Sequence, residues 1–194
     1  MKIIGLTGSI GMGKSTAAKI LRVLKVPVFD SDACVHDLLA GAARLEIQLN
    51  FPESFDKKEN TINRQILAQI IFTSPEAKTK LESILHPLVW SEQQKFIAKC
   101  RRAGFSHVIL DVPLLFETGR DRICDQTICV TAPRFLQKTR VLSRAHMTPE
   151  KYASILASQL SDHDKRHLSH FVVQTGLGRS FTLQKLKKIL RSGS

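Results

Sequence analysis

The chain has 194 residues, of which 43% are hydrophobic, and 29 lysines and arginines exceed 17 aspartates and glutamates, giving a formal charge of +12. This length and composition predict a folded domain that needs neither disulfides nor a metal to hold its core, and they exclude a disordered chain. No apolar run reaches the ~18–20 residues of a membrane helix and no export signal precedes the first predicted strand, so we expect a cytoplasmic protein without a membrane partner.

Hydrophobic periodicity predicts an α/β fold. Five short apolar segments are predicted strands: Lys2–Leu6, Val26–Phe29, Ser106–Leu110, Gln126–Val130 and Phe171–Val173. Such strands, separated by stretches long enough for helices, indicate a parallel sheet that helices cover on both faces. The first of these helices is predicted to begin near Lys14, where apolar residues recur at helical spacing.

The strands are interrupted by two long helical regions. Between residues 39 and 104 we expect a helical insertion, with helices at Arg64–Phe72 and Ala77–Leu85. His86 and Pro87 are expected to end the second helix, because proline has no N–H to donate. Residues 134–167, called the lid segment below, are expected to form a mobile helical lid. The remaining residues, about 1–38, 105–133 and 168–194, would form the core of a single domain.

The four cysteines do not suggest a metal or redox site. Cys34, Cys100, Cys124 and Cys129 form no CxxC pair and lack histidines at zinc-finger spacing. We expect reduced thiols, with Cys129 acting as a small buried hydrophobic residue inside a predicted strand.

The strongest motif is Gly8–Ser15, which reads Gly-Ser-Ile-Gly-Met-Gly-Lys-Ser and fits GxxxxGK[ST] between a predicted strand and a predicted helix. Its glycines allow backbone N–H groups to face a phosphate, and the helix N-terminus adds partial positive charge. Lys14 can bridge the terminal phosphates of a nucleotide, and the Ser15 hydroxyl can bind Mg²⁺. A glycine-rich turn that only caps the helix is the alternative. We call Gly8–Ser15 the phosphate loop.

Two acidic residues follow the second predicted strand, in Asp30-Ser31-Asp32. In parallel α/β sheets, ligands bind at the carboxyl ends of the strands. A kinase needs a carboxylate that orients and deprotonates its acceptor hydroxyl, and Asp32 is the predicted base. The competing interpretation is that this segment only caps the next helix.

A second acidic strand end and an arginine pair extend the predicted site. Asp111 ends the apolar strand Val108–Leu110, the form of a carboxylate that supports Mg²⁺, although such residues often only turn the chain. Arg140 and Arg144 are spaced one helical turn apart, so we expect both on one face of the lid segment, where they can clamp phosphate oxygens. The alternative for both arginines is a solvated helix face.

Together these residues resemble the dephospho-CoA kinase family over nearly the whole chain. The similar segments are Ile4–Thr16 with that family's phosphate loop, Asp30–Asp32 with its DxD element, His86–Val89 with its HPxh motif, and Asp111–Glu117 with its DhPLLFE segment, the most specific of all. Arg64 stands where the family has an arginine, and the family's lid glutamines and arginines correspond to Gln137, Arg140, Arg144 and Gln159. The chain departs from the family pattern at His36, His170 and Gln174-Thr175.

The resemblance implies ATP-dependent phosphorylation of the 3′-hydroxyl of dephospho-CoA, with Mg²⁺ as cofactor and ATP as co-substrate. The implied catalytic residues are Asp32, Lys14 and Arg140. The implied nucleotide-binding residues are Gly8, Gly11, Met12, Gly13, Lys14, Ser15, Thr16 and Arg144. The CoA side would be bound by Asp32, Arg64 and His86, and the metal by Ser15 and Asp111. The implied partners are these two small molecules, without nucleic acid or membrane, and the sequence does not define an oligomeric state.

Two other functions compete at this point. One is a nucleoside or nucleotide monophosphate kinase, which would use the same phosphate loop. The other is a switch-type nucleotide-binding protein that uses its positive charge to bind RNA. A GTPase is not favoured, because no Asn-Lys-x-Asp guanine element occurs. An RNA binder would show strongly salt-dependent affinity, whereas a small-molecule kinase needs no RNA.

Overall fold

The computed structural model describes residues 1–145 and 147–192, so the parts of the expected lid and core at positions 146, 193 and 194 lie outside the described residues. One parallel sheet dominates the fold. Its strands are β1 (Lys2–Thr7), β2 (Val28–Asp30), β5 (His107–Asp111), β6 (Gln126–Thr131) and β7 (Phe171–Gln174), and a separate hairpin holds β3 (Phe55–Asp56) and β4 (Thr61–Ile62). The predicted α/β fold is confirmed, and every predicted strand is present with ends shifted by at most two residues.

Helices surround the strands along the chain. They are α1 (Lys14–Val23), α2 (Ser31–Ala40), α3 (Arg44–Asn50), α4 (Arg64–Thr73), α5 (Pro75–Arg102), α6 (Arg134–Leu142), α7 (Pro149–Ala157), α8 (Asp162–Leu168) and α9 (Arg179–Ser192). Among the residues that the structure describes, no helix is long and apolar enough to cross a membrane. By its internal contacts the chain divides into a first unit, Met1–Phe29 with the residues from Cys100 onward, and a second unit, Asp30–Lys99.

The sheet of the first unit has the strand order β2-β5-β1-β6-β7. Strand β1 runs parallel to β5 and β6, with Ile4 opposite Ile109 and Leu6 opposite Ile128. The chain moves from β1 to one edge of the sheet and later returns to the other edge. Such a reversal opens a crevice at the carboxyl end of the central strand, where ligands of α/β proteins bind. Thus the phosphate loop, which follows β1, lies at this position.

The core of the first unit lies between the sheet and two helices. Its buried strand residues are Ile4, Leu6, Ile109, Ile128, Val130 and Val173, and they pack against Ala17 and Leu21 of α1 and Leu186 of α9. The apolar spacing that predicted α1 therefore marks its buried face. Burial of such side chains contributes about 1.5–3 kcal/mol each, which anchors the start of α1 directly after the phosphate loop.

The second unit has its own core, formed by helices and the β3–β4 hairpin. Its buried side chains include Leu38, Leu39, Ile47, Phe51, Ile62, Leu67, Leu81, Ile84 and Leu85. The unit includes α2, because Leu38 and Leu39 belong to this core. The expected helix at Arg64–Phe72 is confirmed as α4, whose first N–H groups donate to the Asn63 side chain.

Helix α5 is much longer than predicted. It runs from Pro75 to Arg102 through His86 and Pro87, so the expectation that this dipeptide ends the helix is wrong. A proline inside a helix removes one backbone hydrogen bond and tends to kink the axis, but it need not end the helix. Buried residues on both sides, such as Leu85 and Val89, keep the helix continuous across the proline.

The lid segment contains α6, α7 and most of α8. Helix α6 ends at Leu142, and Ser143 caps it with its hydroxyl bonded to the Arg140 carbonyl. The expectation that Arg140 and Arg144 share one helix face is therefore wrong, because Arg144 lies in the turn after the helix has ended. The arginine spacing predicted a continuous helix, and the serine hydroxyl that bonds back to the last turn helps to end it.

Candidate functional site

The phosphate loop joins the end of β1 to the first turn of α1. Gly13 adopts a left-handed conformation before α1, and the first turn of the helix contains no acidic residue. The N–H groups of Gly13, Lys14 and Ser15 have no acceptor among the described residues. Free N–H groups at a helix N-terminus carry partial positive charge and bind anions. The loop therefore has the donors that a phosphate group requires.

Two glycines of the loop have no space for a side chain. Gly11 has a φ of +76°, and a Cβ there would lie 2.6 Å from a methyl carbon of Val141 in α6. Gly13 has a φ of +92°, and a Cβ there would lie 2.6 Å from the Thr175 hydroxyl. Glycine is thus required both by the left-handed backbone and by the close packing of neighbouring elements.

The lid segment holds the phosphate loop at Ile10. Buried Gln137 of α6 donates its side-chain amide N–H to the Ile10 carbonyl at 2.8 Å, and the side-chain Oε1 of Gln159 accepts the Ile10 N–H at 3.1 Å. Arg140 donates more weakly, to the Gly11 carbonyl at 3.4 Å and to the Thr175 hydroxyl at 3.2 Å. Of the predicted arginine pair, therefore, only Arg140 contacts the loop.

Lys14 and Asp111, predicted separately, form an ion pair. The Lys14 Nζ lies 2.6 Å from Asp111 Oδ1, and the two side chains are only 14% and 4% exposed. Asp111 is the last residue of β5, beside β1, so the parallel pairing brings its carboxylate to the loop. The buried carboxylate balances the lysine charge in this structure, and incoming phosphates would compete with it for the same ammonium group.

The oxygen donors at this edge fit Mg²⁺. Mg²⁺ prefers oxygen ligands and usually keeps several waters, binding through one or two protein groups plus substrate phosphates. Ser15 offers an exposed hydroxyl and Asp111 offers a carboxylate. Within residues 1–145 and 147–192 no group of three or more His, Cys, Asp or Glu side chains could hold a metal ion. The donor set thus fits a metal that arrives with a nucleotide better than a permanently bound one.

The two aspartates after β2 have different surroundings. Asp30 is the N-cap of α2, and its carboxylate accepts the Ala33 N–H at 3.1 Å. Asp32 lies in the first turn of α2 with an exposed side chain that forms no hydrogen bond with any described residue. The capping role that competed with catalysis therefore belongs to Asp30, which leaves the Asp32 carboxylate available.

The other predicted binding residues have exposed side chains. Arg64 is the first residue of α4, and His86 lies in the middle of α5, both in the second unit. Met12 differs, since its side chain is buried in the core and its sulfur accepts the Ala132 N–H. Its backbone N–H donates to the Ser9 carbonyl, so Met12 has a structural role within the loop.

A buried ion pair that we did not predict joins the lid segment to the Asp111–Glu117 motif. Lys165 of α8 is fully buried, and its Nζ lies 2.9 Å from Glu117 Oε1 and donates to the Pro113 carbonyl at 2.9 Å. Glu117 also accepts the Leu160 N–H at 2.8 Å. These bonds fix the residues that follow Gln159. Lys165 lies in a charged sequence that is typical of a solvated helix, so only Glu117 in its motif gave a signal.

Two residues at departures from the family pattern form structural hydrogen bonds. The Thr175 hydroxyl donates to the Met12 carbonyl at 2.7 Å and so joins the end of β7 to the phosphate loop. The His170 Nδ1 accepts the Thr127 N–H at 3.2 Å beside β6. The departures thus carry contacts within the first unit. For Thr175, the sequence signal was its position just after the predicted strand that ends at Val173.

The cysteines are not candidates for catalysis. All four are free thiols, and Cys129 is completely buried, as predicted. Burial raises the pKa of Cys124 and the pKa of Cys129 to about 12. A thiolate nucleophile is therefore not formed at neutral pH at either position.

Several known proteins similar to this chain are described as dephospho-CoA kinases. Residues 2–178 match the family described as dephospho-CoA kinase. The dephospho-CoA kinase of Mesorhizobium japonicum is 44% identical over 178 residues, which cover 92% of this chain and 89% of that protein. A solved structure from Thermus thermophilus superposes with a TM-score of 0.86 at 30% identity, covering 98% and 96% of the two chains. The dephospho-CoA kinase structure from Campylobacter jejuni gives a TM-score of 0.74 at 24% identity, covering 99% and 98%.

The buried ion pair generates a stability prediction. Replacing Lys165 with methionine leaves the Glu117 carboxylate without its partner, so we expect the free energy of unfolding to fall by about 3–5 kcal/mol. Urea denaturation followed by circular dichroism measures the change.

The matched control is the double variant Lys165→Met with Glu117→Gln. The side-chain amide oxygen of glutamine at position 117 can still accept the Leu160 N–H. Neither position 117 nor position 165 then carries a charge, so most of the lost stability should return. A double variant no more stable than Lys165→Met would contradict the assignment of the loss to an unpaired charge.

Proposed function

The chain belongs to the dephospho-CoA kinase family, and on this premise we propose that it transfers the γ-phosphoryl group of ATP to the 3′-hydroxyl of the ribose of dephospho-CoA, which yields coenzyme A. The observation that carries the proposal is the family match over residues 2–178 in a chain whose phosphate loop is intact in sequence and in conformation. The chain is therefore a kinase that uses ATP.

The phosphate loop binds the phosphates of ATP. The N–H groups of Gly13, Lys14 and Ser15, which have no acceptor among the described residues, would donate to them, and the glycines of the loop, including Gly8, allow this close approach. The Lys14 ammonium moves from Asp111 to the β- and γ-phosphates, where it stabilises the charge that develops during transfer. Lys14 has a partner before ATP binds, so its charge is held in place rather than solvated.

Mg²⁺ is the proposed cofactor, held by Ser15 and Asp111 together with phosphate oxygens and water. When bound, it neutralises phosphate charge and orients the γ-phosphoryl group. Once Lys14 binds the phosphates, the Asp111 carboxylate would no longer pair with it and would be available to support the metal. One carboxylate would thus pair with the lysine before ATP binds and support the metal afterwards.

Asp32 is the proposed general base. Its carboxylate is exposed and is not used in capping α2, which is the work of Asp30. It would orient the 3′-hydroxyl of the acceptor and take its proton as the oxygen attacks phosphorus. The rest of the second unit would bind the CoA side, with Arg64 and His86 as the predicted contacts.

The lid segment would complete the site on the nucleotide side. Arg140 would exchange its weak bonds to Gly11 and Thr175 for charge-assisted bonds to phosphate oxygens. Gln137 and Gln159 would keep the segment attached to Ile10 during this change. Arg144 lies beyond α6 and would reach the nucleotide only after the segment moves.

The proposed partners are the two small-molecule substrates alone, without nucleic acid or membrane. We also propose a cytoplasmic location. All four cysteines are free thiols, which is the state that a reducing compartment maintains.

A panel of acceptors tests the proposed function directly. The protein is incubated with Mg²⁺, ATP and either dephospho-CoA, a nucleoside monophosphate or a nucleoside, and ADP and phosphorylated product are followed by chromatography. We expect dephospho-CoA to give coenzyme A and the other acceptors to react at least about 10²-fold more slowly, because they lack the pantetheine portion that the second unit is proposed to bind. Efficient phosphorylation of a nucleoside monophosphate alone would overturn the acceptor assignment.

Lys14→Ala is expected to lower the rate of transfer by several orders of magnitude, because the ammonium stabilises charge on the transferred phosphoryl group. It should also lower the thermal midpoint, since the buried ion pair between Lys14 and Asp111 is lost. Adding Asp111→Asn to this variant should recover the midpoint without recovering transfer. Recovery of both quantities would argue that Lys14 acts only in folding.

Asp32→Asn is expected to reduce kcat by about 10²–10⁴-fold, because an amide cannot take up the hydroxyl proton. Asp30→Asn is the matched control, since asparagine caps helices as well as aspartate does, and it should leave kcat nearly unchanged. Steady-state kinetics at two Mg²⁺ concentrations separate proton transfer from metal placement. If Asp30→Asn abolished transfer while Asp32→Asn retained it, the base would be the other aspartate.

A further inference from the structure

Two histidines on α8 form a close pair, and one of them, His163, also lines a cavity beside Ser9 and Met12 of the phosphate loop. His163 and His167 are spaced by four residues, so their side chains lie on the same face of the helix. Their Nε2 atoms are 3.1 Å apart, and the ring centroids are 4.3 Å apart with the planes tilted by 55°. The His163 side chain is 75% exposed, so solutes in water can reach the pair.

The separation of the two nitrogens suits a shared metal ion. With Zn–N bonds of about 2.0–2.1 Å, a separation of 3.1 Å corresponds to an N–Zn–N angle of roughly 100°. This value lies between the angles of octahedral and tetrahedral coordination. The same distance also fits a single N–H···N hydrogen bond between two neutral imidazoles. The groups next to the two rings show which of the two arrangements is favoured.

A carboxylate stands behind one of the rings. Asp164 Oδ1 lies 3.4 Å from the His163 Nδ1, and its other oxygen accepts the Ser161 hydroxyl at 2.7 Å. A carboxylate that accepts the Nδ1–H proton fixes the tautomer in which Nε2 presents its lone pair, an arrangement typical of metal-binding histidines.

The helix that carries the pair is fixed from its opposite side. Lys165 is fully buried with Glu117, so its charge is balanced, and Asp162 accepts the Thr131 hydroxyl at 2.8 Å. The exposed imidazoles thus project from a turn whose backbone is already ordered. Binding a metal there would cost side-chain freedom but little backbone freedom.

We propose that His163 and His167 form a binding site for a divalent transition-metal ion such as Zn²⁺, bound through both Nε2 atoms, with Asp164 as the partner of His163. Imidazole ligands favour zinc, copper and nickel over Mg²⁺, so this site is chemically separate from the Mg²⁺ of phosphoryl transfer. Within the described ranges 1–145 and 147–192 no third His, Cys, Asp or Glu side chain completes the group, so water fills the remaining positions. Such an ion would link two side chains that lie one turn apart on α8.

Nitrogen NMR on the full-length chain tests the site. The protein is labelled with ¹⁵N-histidine, freed of metals with EDTA, and titrated with Zn²⁺ without ATP, which would itself bind the ion. We expect one equivalent of Zn²⁺ to shift the Nε2 resonances of His163 and His167 while those of His36 stay unchanged. If saturating Zn²⁺ leaves the pair's resonances unchanged, the pair is only a hydrogen bond and the proposal fails.

Variants assign the affinity to these residues. His163→Gln and His167→Gln should each weaken Zn²⁺ binding about 10²-fold, because either change removes one arm of a two-point attachment. Asp164→Asn should weaken it about tenfold, the lower end for loss of a partner behind a ligand. His36→Gln, an exposed and solitary histidine on α2, is the control and should bind as the parent does. Equal Zn²⁺ affinity in the double His163→Gln, His167→Gln variant would overturn the proposal.

Discussion

The parallel pairing of β1 with both β5 and β6 is the constraint on which the site depends. Because all three strands end at one edge, Thr7, Asp111 and Thr131 come together there without any contact being specified in the sequence between them. The Thr7 hydroxyl donates to the Pro113 carbonyl, and that carbonyl also accepts the buried Lys165. One strand register thus fixes the phosphate loop, the acidic partner of its lysine and the attachment of the lid segment.

The buried lysines at this edge are paired with carboxylates. The chain has a formal charge of +12, yet the two lysines that are most enclosed at this edge, Lys14 and Lys165, each face a carboxylate. An unpaired ammonium would be costly in such surroundings, whereas a paired one is tolerated. The two pairs differ in use. Lys165 is completely buried and is suited to hold structure, whereas Lys14 is partly accessible and can exchange its partner for phosphate oxygens.

Sequence reasoning succeeded where the signal was local. The strands follow from short apolar runs, and the phosphate loop follows from glycines and a lysine at fixed spacing. It failed where distant packing decides. Buried residues on both sides of Pro87 carry α5 through a proline that local rules treat as a stop. Helix α6 ends at Leu142, and the turn that follows separates Arg144 from Arg140. The burial of Lys165 depends on Glu117, which lies far away in the chain. The β3–β4 hairpin has strands of two residues, too short for any periodicity to reveal.

The contacts at Ile10 have a consequence for how the phosphate loop tolerates sequence variation. Gln137 and Gln159 bind the carbonyl and the N–H of this residue and ignore its side chain. Many amino acids at position 10 can therefore form the same two hydrogen bonds, which agrees with a motif that leaves this position unspecified. Proline is the exception, because it lacks the N–H that Gln159 accepts. Because both hydrogen bonds are made to the backbone of residue 10, they can form with any amino acid at this position that has a backbone N–H.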